Sequence, residues 1–149
     1  GLESLHPVEG RLRSMRSAQG VTVIDDCYNA NPGSVRAAID LLAACLGRRT
    51  LVLGGMRELG ANSSALHREV GEYALAAGID QLWGVGPELE VCVNAFGTNG
   101  RYFEDRAAAV SALQGQFGAG DTVLVKGSRS AGMEQVLQAL LPDLKVQEH

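Results

Sequence analysis

No apolar run in the chain approaches the ~18 residues that a membrane span needs, and no basic-then-apolar segment opens it as a secretory signal would. Cysteine is scarce: Cys27, Cys45 and Cys92 are odd in number and far apart. They make neither a CxxC metal pair nor a disulfide framework, which points to a reducing compartment, the cytoplasm. A net charge of -4 denies the chain the basic field that nucleic acid or anionic lipid would require. His67 has no second histidine or cysteine at ligand spacing, so no metal site is expected. There is no internal repeat and no low-complexity tract. A GxxxxGK[ST] loop is missing, and the Gly-Val-Gly at residues 84–86 lacks the third glycine of a dinucleotide fingerprint.

What is present suits one domain. The 149 residues, 46% of them hydrophobic and 20% charged, are enough for a complete core. Short apolar runs at residues 21–24, 50–53, 81–85, 101–103 and 122–125 read as strands, several of them continuous rather than alternating. Residues 11–15 are expected to add a sixth strand by a hairpin. Between the runs lie five helical stripes. They are Val35, Ala38, Ile39, Leu42 and Leu46; Leu66, Val70, Tyr73 and Ala77; Leu89, Cys92, Val93 and Phe96; Val110, Leu113 and Phe117; and Met133, Val136, Leu137, Leu140 and Leu141. Strands alternating with helices predict an α/β fold: a Rossmann-like, mostly parallel six-stranded sheet with about five helices on both faces. The first ten residues, with His6-Pro7 and Gly10, read as a linker from an upstream domain, leaving residues 11–149 as the domain itself.

In open parallel sheets a ligand sits beyond the carboxyl ends of the strands. Four stretches fall there: residues 25–31, 54–60, 84–87 and 126–130. The first, DDCYNAN, is far more polar than a connection requires. Asn31-Pro32 reads as an N-cap followed by proline at the first helical position. Capping does not account for Asp25, Asp26, Tyr28 and Asn29, and a strand-end carboxylate can accept from ribose hydroxyls. Such an acid is expected to be solvated in the isolated domain. KGSRS sets Lys126, Ser128 and Arg129 before a helix whose first turn offers free N–H groups, a seat for a carboxylate or phosphate. GGMRELG carries Arg57 and Glu58 among glycines that let a backbone lie close to a ligand. His67, beside the Leu66/Val70 stripe, and Trp83, within a strand, are expected to be structural.

Three strings go beyond a generic α/β pattern: IDDCYNANPGSVRAAI, LVLGGMRELG with HREVG after it, and VLVKGSRSAGMEQV. In that order, each at a strand end, they resemble the C-terminal domain of the Mur ligases. Within that family they look most like the branch that adds D-alanyl-D-alanine to UDP-N-acetylmuramoyl-tripeptide. The resemblance covers essentially the whole chain, and PVEGRL resembles the linker leaving the central ATPase domain. It implies ATP and Mg²⁺ as cofactors of a full-length enzyme, with an acyl phosphate as intermediate. It also implies N-terminal and central domains as partners, and a monomer. Arg11, Asp26, Asn29 and Asn31 resemble positions near the nucleotide. Arg57, Glu58, Lys126, Ser128 and Arg129 lie where the family gathers the incoming peptide. No catalytic residue is implied in this domain, which is expected to be inactive alone. Relatives often carry an acid where this chain has Gly55. A phospho-receiver domain is the rival reading, but it needs an Asp ending a middle strand, and those strands end in Gly54-Gly55 and Gly84-Val85-Gly86.

Overall fold

The computed structural model of the protein describes residues 13–27, 30–57, 59–128 and 131–141. Within them run six strands: β1 (Arg13–Arg16), β2 (Thr22–Asp26), β3 (Arg49–Gly54), β4 (Gln81–Val85), β5 (Gly100–Phe103) and β6 (Thr122–Lys126). Five helices accompany them: α1 (Pro32–Ala43), α2 (Ser63–Ala76), α3 (Glu90–Phe96), α4 (Arg106–Ala112) and α5 (Glu134–Leu140). The sheet order is β1-β2-β6-β3-β4-β5. Only the β1–β2 pair is antiparallel, and the other ladders are parallel. The Rossmann-like, mostly parallel six-stranded sheet is therefore what the chain forms. The hairpin strand starts at Arg13, and residues 11 and 12 lie outside the described residues.

Both faces of the sheet are covered, which explains the continuous apolar runs. Leu51 and Leu53 of β3 pack with Ile39, Val70 and Cys92 from α1, α2 and α3. Val52 between them faces the opposite side, with Trp83, Val123 and the α5 residues Val136 and Leu137. Each strand thus serves two cores by simple alternation.

Local chemistry sets the helix ends. Asn31 accepts from the Ser34 N–H while the Ser34 hydroxyl accepts from the Asn31 N–H, a reciprocal capping box with Pro32 at the first helical position. Val35, Ala38, Ile39 and Leu42 are buried as the periodicity predicts, but Leu46 is not. Helix α1 stops at Ala43 and Leu46 is 87% exposed, so the stripe extends past the helix that would have buried it.

In α2 the buried face is His67, Val70, Gly71 and Ala74, while Leu66, Tyr73 and Ala77 only flank it. The small residues decide this. A Cβ at Gly71 would strike the Cys92 carbonyl, so the glycine lets α2 and α3 touch backbone to backbone. Phe117 lies beyond the end of α4 and reaches Trp83 from the following loop, with ring centroids 5.5 Å apart.

Overpacking a tight helix contact costs about 1–3 kcal/mol. Gly71→Ala is expected to lower unfolding stability by that amount, read as a shift in the urea midpoint with an unchanged slope. A midpoint equal to that of the parent would mean that α2 and α3 separate at no cost.

Candidate functional site at the strand ends

The chain leaves β2 for α1 on one face of the sheet and leaves β6 for α5 on the other. The crevice therefore opens beside β6, at the point where the connections change direction. The carboxyl ends of β2, β6, β3 and β4 stand side by side there. The described residues of all four stretches named from the sequence lie on this edge.

Asp26 and Lys126 are register partners across the β2–β6 ladder. The Lys126 Nζ donates to Asp26 Oδ2 at 2.9 Å, with side chains 3% and 17% exposed. This corrects the expectation of a solvated acid. An ammonium held out of water needs a counter-charge, and Asp26 supplies it. Lys126 is accordingly not an exposed hook at the crevice mouth.

Asp25 serves the fold instead. Its Oδ2 accepts from Arg13 Nη2 at 2.7 Å, tying β1 to β2, and its Oδ1 accepts from the Cys27 N–H at 3.2 Å. The Cys27 thiol donates to the Val125 carbonyl, and burial together with the Asp25 charge pushes it well up, away from a nucleophile's range.

The loops after β3 and β6 meet through glycine. A Cβ on Gly127 would lie 2.6 Å from Met133 Cγ and 3.2 Å from the Gly54 Cα. The Ser128 N–H donates to the Gly55 carbonyl at 3.2 Å, and the Ser128 carbonyl accepts from the Ala131 N–H at 3.0 Å. His67 is fully buried, as a structural histidine should be. Its Nε2 accepts from the Met56 N–H at 3.1 Å, and its Nδ1 lies 2.8 Å from the Ser63 carbonyl. These partners assign the neutral ring with its proton on Nδ1.

Helix α5 starts only at Glu134, after Met133 and without a side-chain cap. Directly behind KGSRS the chain passes Ala131 in 3-10 geometry and a turn at residues 132–133, so the α-helix begins three residues later than expected.

Arg57 is exposed on the β3 loop. At Gly55 a Cβ would lie 2.6 Å from Glu88 Oε2, so a carboxylate from the β4 loop occupies the space a side chain at position 55 would need. No spacing in the sequence announces Glu88 as a neighbour of Gly55. The glycines at 84 and 86 serve packing and a turn. A Cβ on Gly84 would meet Val93 Cγ2 at 2.6 Å, and Gly86 has φ 106.

The structure thus gathers Asp26, Asn31, Arg57, Lys126 and Ser128 on one edge, with Asn31 and Arg57 exposed and Lys126 and Ser128 buried. Arg11, Asn29, Glu58 and Arg129 lie outside the described residues. No group of three or more His, Cys, Asp or Glu converges as a metal cage among the described residues.

These features define a Rossmann-like α/β domain whose polar strand-end loops gather at the carboxyl edge of its sheet. The family model for the Mur ligase, glutamate ligase domain, matches residues 10–129, and the chain belongs to that family. It is 46% identical over 142 residues to the UDP-N-acetylmuramoyl-tripeptide–D-alanyl-D-alanine ligase of Escherichia coli, covering 94% of this chain and 31% of that protein. The enzyme of the same description from Haemophilus influenzae is 39% identical, over 97% of this chain and 33% of its own length. Among solved structures, MurF from Acinetobacter baumannii superposes with a TM-score of 0.82 at 31% identity, over 93% of this chain and 31% of that one. The MurF ligase from Thermotoga maritima in complex with ADP superposes at 0.78 and 31% identity, over 91% of this chain and 31% of that one. The chain therefore spans about a third of the length of the curated relatives it matches.

Removing one partner of a buried ion pair costs about 3–5 kcal/mol, because the other charge stays buried. Asp26→Ala is expected to destabilise the domain by at least the lower end of that range. Lys126→Met should cost clearly less, since it fills the same space and leaves the more accessible of the two charges. Urea unfolding of both variants checks the order. Equal and small losses would mean that the pair carries no burial penalty.

Proposed function

We propose that residues 11–149 form the C-terminal domain, behind a linker at residues 1–10, of an ATP-dependent ligase. That enzyme joins D-alanyl-D-alanine to UDP-N-acetylmuramoyl-tripeptide in peptidoglycan precursor synthesis. One observation carries the reading: the DDC, GGM and KGS stretches, far apart in the chain, converge on a single sheet edge at the switch strand. The chain's similarity to proteins of that description supports it.

In the reaction, ATP transfers its terminal phosphoryl group to the tripeptide carboxylate. The dipeptide amine then attacks the acyl carbon, phosphate departs with the C–O bond electrons, and the amine loses a proton. The central domain brings the phosphate-binding loop and Mg²⁺, and the N-terminal domain holds the UDP-sugar. This domain closes over the nucleotide and delivers the dipeptide.

Arg11, Asp26, Asn29 and Asn31 are assigned to the nucleotide. Asp26 is suited to that role because Lys126 engages Oδ2, which leaves Oδ1 as an acceptor for a ribose hydroxyl, and the side chain retains 17% exposure. Asn31 Oδ1 accepts from the Ser34 N–H, which leaves the amide nitrogen and one oxygen lone pair for a ligand. Arg57, Glu58, Lys126, Ser128 and Arg129 are assigned to the dipeptide. There the free carboxylate is met by the arginines, while the Lys126 ammonium adds positive charge from beneath the loop. The enzyme is assigned to the cytoplasm as a monomer. No helix among the described residues is long and apolar enough to cross a membrane.

A charge-assisted hydrogen bond to a carboxylate contributes about 1.5–3 kcal/mol. In the full-length ligase, Arg129→Ala is therefore expected to raise the dipeptide KM by about tenfold to a hundredfold with the ATP KM nearly unchanged. A change confined to the ATP KM would move this loop to the nucleotide. The 149-residue chain alone should neither hydrolyse ATP nor form the amide bond. Steady turnover by the purified chain would overturn the domain assignment.

A further inference from the structure

We infer that His67 is a positioning residue for the β6 loop, acting through the single peptide group between Gly55 and Met56. The inference rests on the reading of that loop as part of the dipeptide seat. A histidine that served only its own helix would need no more than the bond to the Ser63 carbonyl one turn back. Its other nitrogen leaves the helix and takes the Met56 N–H at 3.1 Å. The carbonyl of that same peptide group is Gly55 O, which accepts from the Ser128 N–H at 3.2 Å.

A peptide group is a rigid plane whose N–H and C=O point in opposite directions. Rotating the 55–56 plane would therefore break the bonds to His67 and Ser128 together. Glycine at 55 puts little steric resistance in the way of such a rotation. The fixed element is the ring of His67, fully buried and held at its second nitrogen by Ser63. Ser128 is itself 3% exposed and follows Gly127, whose close approach to Gly54 leaves no room for a side chain to lock the loops directly. His67 sets the direction of Gly55 O, and Gly55 O sets the backbone of Ser128.

Two substitutions separate this role from simple packing. Glutamine can place an amide oxygen where His67 Nε2 stands, whereas asparagine reaches only as far as Nδ1. Amide hydrogen exchange of the 149-residue chain reads the coupling directly. In His67→Asn, the Ser128 amide is expected to exchange faster by about threefold to tenfold relative to Val123 and Leu124 in β6, the scale of one neutral hydrogen bond. In His67→Gln, the ratio should stay at the parent value. In the full-length ligase, His67→Asn should raise the dipeptide KM by a similar factor with the ATP KM unchanged, and His67→Gln should restore it.

Exchange at Ser128 that stays in step with the β6 core in both variants overturns the inference, as does a glutamine variant no better than asparagine. If His67→Asn does not fold, His67→Gln decides: parent-like protection at Ser128 sustains the role, and selective loss there overturns it. A selective change at Ser128 without any change in dipeptide KM sustains the positioning and overturns the assignment of this loop to the dipeptide.

Discussion

A lysine buried at the last position of the innermost ladder constrains this domain more than any other side chain. Lys126 ends a strand whose five residues are all buried. An ammonium in that position is tolerable only beside an anion, and Asp26 on β2 is that anion. Slipping the β2–β6 register by one residue would carry Asp26 to the other face and break its bond to Lys126. The same slip would drive Val23 and Ile24 into each other's cores. Charge and hydrophobic alternation therefore specify one register, and that register places the DDC and KGS stretches on the same edge. Fold and candidate site share a single constraint.

The elements whose signal is local were legible in the sequence. The runs gave all the parallel strands within a residue or two, and in β3, β4 and β6 burial on both faces keeps them nearly uninterrupted. Asn31-Pro32 announced the start of α1 through capping chemistry alone. The misreadings came where apolarity and burial part company. Leu46 is apolar but lies past its helix, while Gly71 belongs to the buried face of α2 without looking like core. Strand order was not legible, since no local feature says that β6 sits between β2 and β3. The Asp26–Lys126 pair was illegible for the same reason. Both residues stood out as strand-end polar groups, but only the topology makes them partners.

Close backbone approach shapes the rest of the edge. Gly54 and Gly127 bring two loops nearer than side chains would allow, and Gly55 leaves space that the Glu88 carboxylate enters. The Glu88 carboxylate thus reaches the β3 loop from the β4 loop, two positions that no sequence spacing relates. The chemistry of the crevice is better described by what occupies its volume than by which position contributes it.

The central place of β6 also bears on how the domain is made. Strands β1 and β2 form one pairing unit and β3, β4 and β5 another, but the two units share no ladder of their own. Thr122 pairs with both Thr22 and Arg49, so the last strand in the chain joins the two units. A chain lacking residues 122–126 would have no ladder between β2 and β3, and the edges that β6 covers in the complete sheet would lose their partner.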